Sequence, residues 1–286
     1  MSSAKHAFAA LAACVLLFAL PASAGAAYGP HGAVYGGKIS TNQGKQAQHP
    51  FSLALTANGK RIKAFVIYWH TKACTGSGTD FAGGLTAARS KLLPSGAFSD
   101  VFSFSEPNPD DATQKLNHRV QLQGHAGARS ASGTYRDVIA ITNAAGVTVS
   151  TCDTGTVSWS ARRGKRNYGG QTDQKLPLSL RLNRSARKLA SFFIQWKADC
   201  GGGTFLERTL NHSGIRVNRR GRFSKSGSLS FTTDKGAQVR GTFSLSGRFA
   251  RRKVSGRYTV HAIGTSTTGQ QFNCTLDRLR YSAQRG

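Results

Sequence analysis

Carboxylates are scarce in this sequence. Twelve Asp and Glu stand against 39 Lys and Arg in 286 residues, a formal charge of +27. A glycosidase needs two carboxylates converging across a cleft, and no such pair is apparent. H-E-x-x-H, C-x-x-C, G-x-S-x-G and P-loop patterns are all missing. Ser185-Ala186-Arg187-Lys188 has the bare S-x-x-K spacing without its companion motifs, and reads as a turn. No catalytic residue, metal ligand set or cofactor is assigned.

Long apolar runs are missing too. The longest, residues 7–20, has 14 residues, where a membrane-spanning helix needs about 20. It follows Lys5 and His6, is broken by Pro21, and precedes the small-x-small triplet Ala22-Ser23-Ala24. That is the pattern of a secretory leader cleaved near Ala24. Acylation at Cys14, in Leu11-Ala12-Ala13-Cys14, is the alternative. Removing the leader leaves Cys74, Cys152, Cys200 and Cys274, an even number that in an oxidising compartment favours disulfides. A secreted or extracytoplasmic protein without a transmembrane segment is expected.

No stretch after the leader shows a long 3.6-residue apolar period with caps; AGGLTAARSKL at 82–92 allows one short helix at best. Period-2 alternation is common instead. Phe51, Leu53 and Leu55 alternate with small or polar residues, and Asn58-Gly59 gives a hairpin signal. Residues 62–70 form a nearly continuous apolar strand, as if buried on both faces. Further strands are expected near 98–104, 120–123, 134–142, 147–152 and 156–160.

The chain repeats itself. Tyr35-Gly36-Gly37 matches Tyr168-Gly169-Gly170, and Pro50-Phe51-Ser52-Leu53 matches Pro177-Leu178-Ser179-Leu180. Trp69 and Cys74 match Trp196 and Cys200. Leu122-Gln123-Gly124 matches Leu245-Ser246-Gly247, and Ser132-Gly133-Thr134-Tyr135 matches Ser255-Gly256-Arg257-Tyr258. Cys152 and Trp159 match Cys274 and Tyr281. The order is kept throughout, so the chain is read as a tandem duplication: residues 25–161, a basic linker at 162–167, and residues 168–286. Copies that each fold alone require the pairing Cys74–Cys152 and Cys200–Cys274. The expected fold is all-β, two tandem antiparallel β-sandwich modules of jelly-roll or immunoglobulin-like type, with small β-barrels as the alternative. Trp69 and Trp196, each just before a bridging cysteine, are expected in the cores.

Gly247-Arg248-Phe249, Ser132-Gly133-Thr134-Tyr135 and the run from Cys152 to Ala161 carry a pattern, G-R-F…S-G-T-Y…C-x-T-G-x-V-x-W-x-A. In this the chain resembles functionally uncharacterised all-β repeat modules of exported proteins from high-GC bacteria. The resemblance implies a β-rich exported protein and assigns no activity.

Charge divides unevenly between the copies. Residues 28–164 carry 14 basic and 7 acidic groups; residues 167–286 carry 22 and 5. The second copy gathers Arg216, Arg219, Arg220, Arg222 and Lys225 around one turn, and Arg248, Arg251, Arg252, Lys253 and Arg257 around another. If the fold brings these turns together, their field suits sulfate, phosphate or carboxylate oxygens. The expectation is a monomeric, non-enzymatic protein associating with an anionic polymer of the cell envelope or matrix. A protein-binding or inhibitor module, or a hydrolase with a site assembled from distant residues, are the alternatives. The histidines are scattered and are expected to face solvent. The acidic, Pro-containing run 106–111 is expected to be a solvated loop.

Overall fold

The computed structural model describes residues 29–40, 48–75, 82–87, 90–108, 111–201, 205–233 and 236–286; the proposed leader and Cys14 lie outside them. Among these residues there are strands and no helix. In the first repeat the strands are β1 (Val34–Ser40), β2 (Gln48–Leu55), β3 (Ile62–His70), β4 (Ala73–Cys74), β5 (Ala82–Ala87), β6 (Ala97–Asn108), β7 (Asp111–Ala126), β8 (Ser130–Thr142), β9 (Thr148–Asp153) and β10 (Val157–Arg162). In the second they are β11 (Asn167–Thr172), β12 (Pro177–Leu182), β13 (Lys188–Asp199), β14 (Phe205–His212), β15 (Ile215–Arg216), β16 (Arg222–Thr232), β17 (Gln238–Ala250), β18 (Lys253–Thr265) and β19 (Gln271–Arg285).

Each repeat forms one continuous antiparallel sheet that bends around its own apolar core. The first runs β4-β9-β8-β10-β1-β2-β3-β5, with the β6–β7 hairpin on the other edge of β8, and makes a half-barrel. The second runs β14-β13-β12-β11-β19-β18-β17-β16, and the bridge Asp199↔Thr275 joins β13 to β19, closing it into a small barrel. The chain is therefore all-β with two modules, and the barrel alternative describes the second sheet. Residues 82–87 are a strand rather than a helix. Pairing with the free edge of β3, from Phe65↔Ala87 to His70↔Ala82, overrides the helix propensity of their alanines.

Both bridges close as the repeat requires, Cys74–Cys152 and Cys200–Cys274, spanning 78 and 74 residues. Cys74 and Cys152 are also register partners across β4 and β9. The two apolar clusters do not mix. Phe51, Phe65, Trp69, Tyr135 and Trp159 belong to the first, and Phe192, Trp196, Phe223, Tyr258 and Tyr281 to the second. Trp69 and Trp196 are buried, 5% and 1% exposed.

The modules pack back to back through β1, β2 and β3 against β11, β12 and β13. This explains the apolar run 62–70: Phe65, Ile67 and Trp69 face their own core, while the alternate residues Val66 and Tyr68 are covered from the other side. The matched Tyr-Gly-Gly triplets meet at this seam. A Cβ on Gly36 would sit 2.1 Å from the Tyr168 carbonyl oxygen, and one on Gly169 would sit 2.3 Å from that of Tyr35. Only glycine permits that backbone approach, and the duplicated motif supplies it from both sides. Ser179 Oγ donates to the Gly37 carbonyl at 2.8 Å, and Tyr68 OH donates to Glu207 Oε2 at 2.8 Å.

The histidines do not all face solvent. His49, fully buried at the seam, donates from Nδ1 to Thr209 Oγ1 at 2.5 Å, and Thr209 donates onward to Gln195 Oε1. Burial, with His70 nearby, lowers its pKa to about 3. His118 is buried inside the first module, its Nδ1 2.8 Å from Asp137 Oδ2 and its Nε2 3.4 Å from Glu106. Burial pushes its pKa down, but the hydrogen bonds to Asp137 and Glu106 outweigh that and raise it to about 9. Glu106 thus folds back onto β7 in the β6–β7 hairpin, whose tip, residues 109–110, lies outside the described residues.

These two shifts act on stability in opposite directions. The neutral His49 contributes fully above its unfolded pKa of about 6.5 and loses that contribution as pH falls toward 3. The protonated His118 contributes fully below about 6.5 and loses its share as pH rises through about 9. Melting temperatures of His49→Gln and His118→Gln across pH 4 to 10 check this. The first substitution flattens the acid limb of the stability curve and the second the alkaline limb.

Candidate functional site

The two arginine-rich turns lie at one end of the second module, and local hydrogen bonding puts them there. The Asn218 side-chain oxygen accepts from the Arg220 and Arg222 amides at 3.0 and 2.9 Å, and Gly221 takes φ 72°. This tight loop projects Arg219 and Arg220 and launches β16 at Arg222. Phe249 N donates to the Gly221 carbonyl at 2.9 Å, tying the loop to the end of β17. There the chain turns through Arg251 and Arg252 between the register partners Ala250 and Lys253. Arg251 holds φ 46°, a left-handed conformation that glycine adopts without penalty and an L-residue only at a cost.

Between these turns runs an open groove of about 1130 Å³. Six cations line it: Arg187, Lys188, Arg216, Arg222, Arg248 and Arg257; no carboxylate does. Four of them belong to the two clusters visible in the sequence. Arg219, Arg220, Arg251, Arg252 and Lys253 stand on the flanking turns, all exposed. Lys225 stands apart. It is half-buried on the opposite face of β16, where its charge, after burial, helps lower the His212 pKa to about 4. Arg187 and Lys188 were missed in the sequence because they sit in the turn matching residues 60 and 61 and lie far from both clusters. The signal that finds them is the register Lys188↔Arg216.

The charge arrangement opposes folding. Lys188 faces Arg216 in register, and Arg222 faces Arg248. Like charges directly opposite on neighbouring strands are destabilising. Among the described residues, no ion pair relieves any of the six.

The first module provides an internal comparison. Its bridge Arg61↔Lys91 corresponds to Lys188↔Arg216, and its pair Ala97↔His125 corresponds to Arg222↔Arg248. Thr134 stands where the second module has Arg257. Three of the six cationic positions are therefore Ala97, His125 and Thr134 in the first copy. His125 is also engaged there, with Nε2 2.8 Å from the Ser95 carbonyl oxygen. The shared fold tolerates uncharged residues at these places, and only the second copy fills them with arginine.

His118 and Asp137 resemble a catalytic dyad in distance alone. At 2% and 0% exposure, with the Phe104 ring stacked 4.3 Å from the imidazole, they are closed to a substrate. Tyr135 OH donates to Asp137 at 3.1 Å and Asp137 N donates to Thr154 Oγ1 at 2.9 Å, so the pair knits β7, β8 and the segment after β9 together.

No protein-family model matches the chain, and no curated protein matches it. Among solved structures there is a loose similarity to one from Bacteroides fragilis described as a "putative outer membrane protein". The identity is 8% over 91% of this chain and 98% of that one, with a TM-score of 0.20. A superposition that loose assigns neither a shared fold nor a function.

Proposed function

We propose that this is an exported, non-enzymatic binding protein whose second module holds an anionic polymer of the cell envelope or extracellular matrix in the arginine groove. One observation carries the reading: six cations line a single groove, four of them in two like-charge register pairs, with no carboxylate among the lining residues. Such an arrangement costs stability unless an anion neutralises it. Guanidinium forks are suited to sulfate, phosphate and carboxylate oxygens. Two disulfides agree with an oxidising location outside the cytoplasm, and the leader read at residues 1–24 would send the chain there. The test is binding of the full chain to dextran sulfate and to uncharged dextran at equal length. Retention by the sulfated polymer alone is expected; equal binding to both, or to neither, contradicts the proposal.

A further inference from the structure

Beyond Arg222 and Arg248 the outer face of β16, β17 and β18 changes character. The next register row is Ser224↔Ser246, which still lines the cationic groove. Then come Ser226↔Ser244↔Thr259 and Ser228↔Thr242↔His261. Five of these last six side chains bear hydroxyls and are short, so they leave a trough. A second groove of about 380 Å³ is lined by Ser226, Thr242, Ser244, Thr259 and His261, together with Gly227 and the core residue Phe243, which is 6% exposed. It continues the line of the first along the strands. From Arg222 to Ser228 is six residues, about 20 Å at roughly 3.3 Å per residue.

The corresponding face of the first module is not built this way. Its rows are Val101↔Gln121↔Arg136 and Ser103↔Arg119↔Val138. Arg119, Gln121 and Arg136 put long side chains on that surface, and Arg136 is held by Asp153 at 2.6 Å. A flat hydroxyl strip is therefore no requirement of the repeat. No Phe, Tyr or Trp stands at an outward position of β16, β17 or β18, so the strip lacks the aromatic platforms on which single-stranded nucleic acid stacks. Short serine and threonine hydroxyls, each donor and acceptor, match the hydroxyls of a sugar or polyol.

We infer that the groove and the strip form one extended site, and that its polymer carries both anionic ester groups and free hydroxyls: a sulfated or phosphorylated glycan or polyol. The arginine end takes the anionic groups and the hydroxyl strip takes the backbone between them. This rests on the proposed function and narrows it.

The test compares two polyanions of matched length and charge density on the full chain, dextran sulfate with free hydroxyls and poly(vinyl sulfate) without them. Two to three lost hydrogen bonds correspond to about tenfold in affinity, so dextran sulfate is expected to bind about tenfold tighter. Ser226→Val with Ser244→Gln, both outside the cationic groove, places at these two positions the residues found at the same places in the first module, and so suits the fold. It should erase the preference while leaving poly(vinyl sulfate) affinity within about twofold. Ser226→Ala with Ser228→Ala, which adds no bulk, should reduce the preference in the same direction. Equal affinity of the unaltered protein for both polymers, or a preference that survives both variants, overturns the inference and leaves the arginine groove standing. Failure to bind either polymer overturns both.

Discussion

Replacing Arg216, Arg222, Arg248 and Arg257 with serine is expected to cost the protein most of its affinity for a sulfated polymer while raising its melting temperature. The two effects come from one cause. In the free protein these four side chains, with Arg187 and Lys188, crowd one groove, and Arg222 faces Arg248 across neighbouring strands. Removing them relieves repulsion, at about 0.2–1 kcal/mol for a directly opposed pair. In the complex each guanidinium neutralises an anionic group and releases a counterion. Losing four of six such contacts should lower affinity by about a thousandfold near 0.1 M salt, taking roughly 1 kcal/mol for each. The matched control is Lys60, Arg61 and Lys91 changed to serine in the first module, which should leave affinity within about threefold. Titration by fluorescence anisotropy, with melting followed by circular dichroism, reads both quantities. Affinity that falls equally in the control would mean that overall charge, rather than this groove, does the binding.

The second large effect concerns the sulfur bridges. Cys200→Ala with Cys274→Ala opens a 74-residue loop in the second module. Chain entropy puts the loss at about 4 kcal/mol for a loop of that size. For a unit of this length that is a fall of roughly 10–20 °C in melting midpoint. Cys74→Ala with Cys152→Ala should act similarly on the first module, because its 78-residue loop is nearly the same length. The two apolar clusters are separate, so scanning calorimetry of either variant should show one component of the endotherm move down while the other stays nearer its place. A midpoint unchanged within 2 °C or so in both variants would show that the bridges contribute nothing to stability.

How much of this was legible beforehand follows from where each feature is encoded. Both disulfides followed from the repeat, because only one pairing keeps each copy closed within itself. The two sheets followed from period-2 alternation and the Asn58-Gly59 turn, both local signals. The run 82–92 allowed one short helix at best, and nothing local showed that its residues 82–87 would pair with the free edge of β3. The seam between modules was half visible. Val66 and Tyr68 announced a second buried face, and the Tyr-Gly-Gly triplets were matched, yet nothing local says that Gly36 and Gly169 touch the opposite copy. His49 and His118 were misjudged for the same reason: burial against residues more than 100 positions away, or across a bent sheet, leaves no local pattern. The arginine turns were visible as clusters, but their meeting at one end depends on the tie from Phe249 to Gly221. Arg187 and Lys188, about 30 residues earlier in the chain, enter the groove only through the pairing of β13 with β15.

The most direct test of the electrostatic groove is the salt dependence of dextran sulfate binding by the unaltered chain. Six released counterions correspond to a slope of about −4 to −5 in log affinity against log salt, by analogy with nucleic-acid polyanions. A slope in that range, falling to about −1 to −2 in the four-arginine variant, is the expected result. Binding that is insensitive to salt, or an identical slope in the variant, would contradict it.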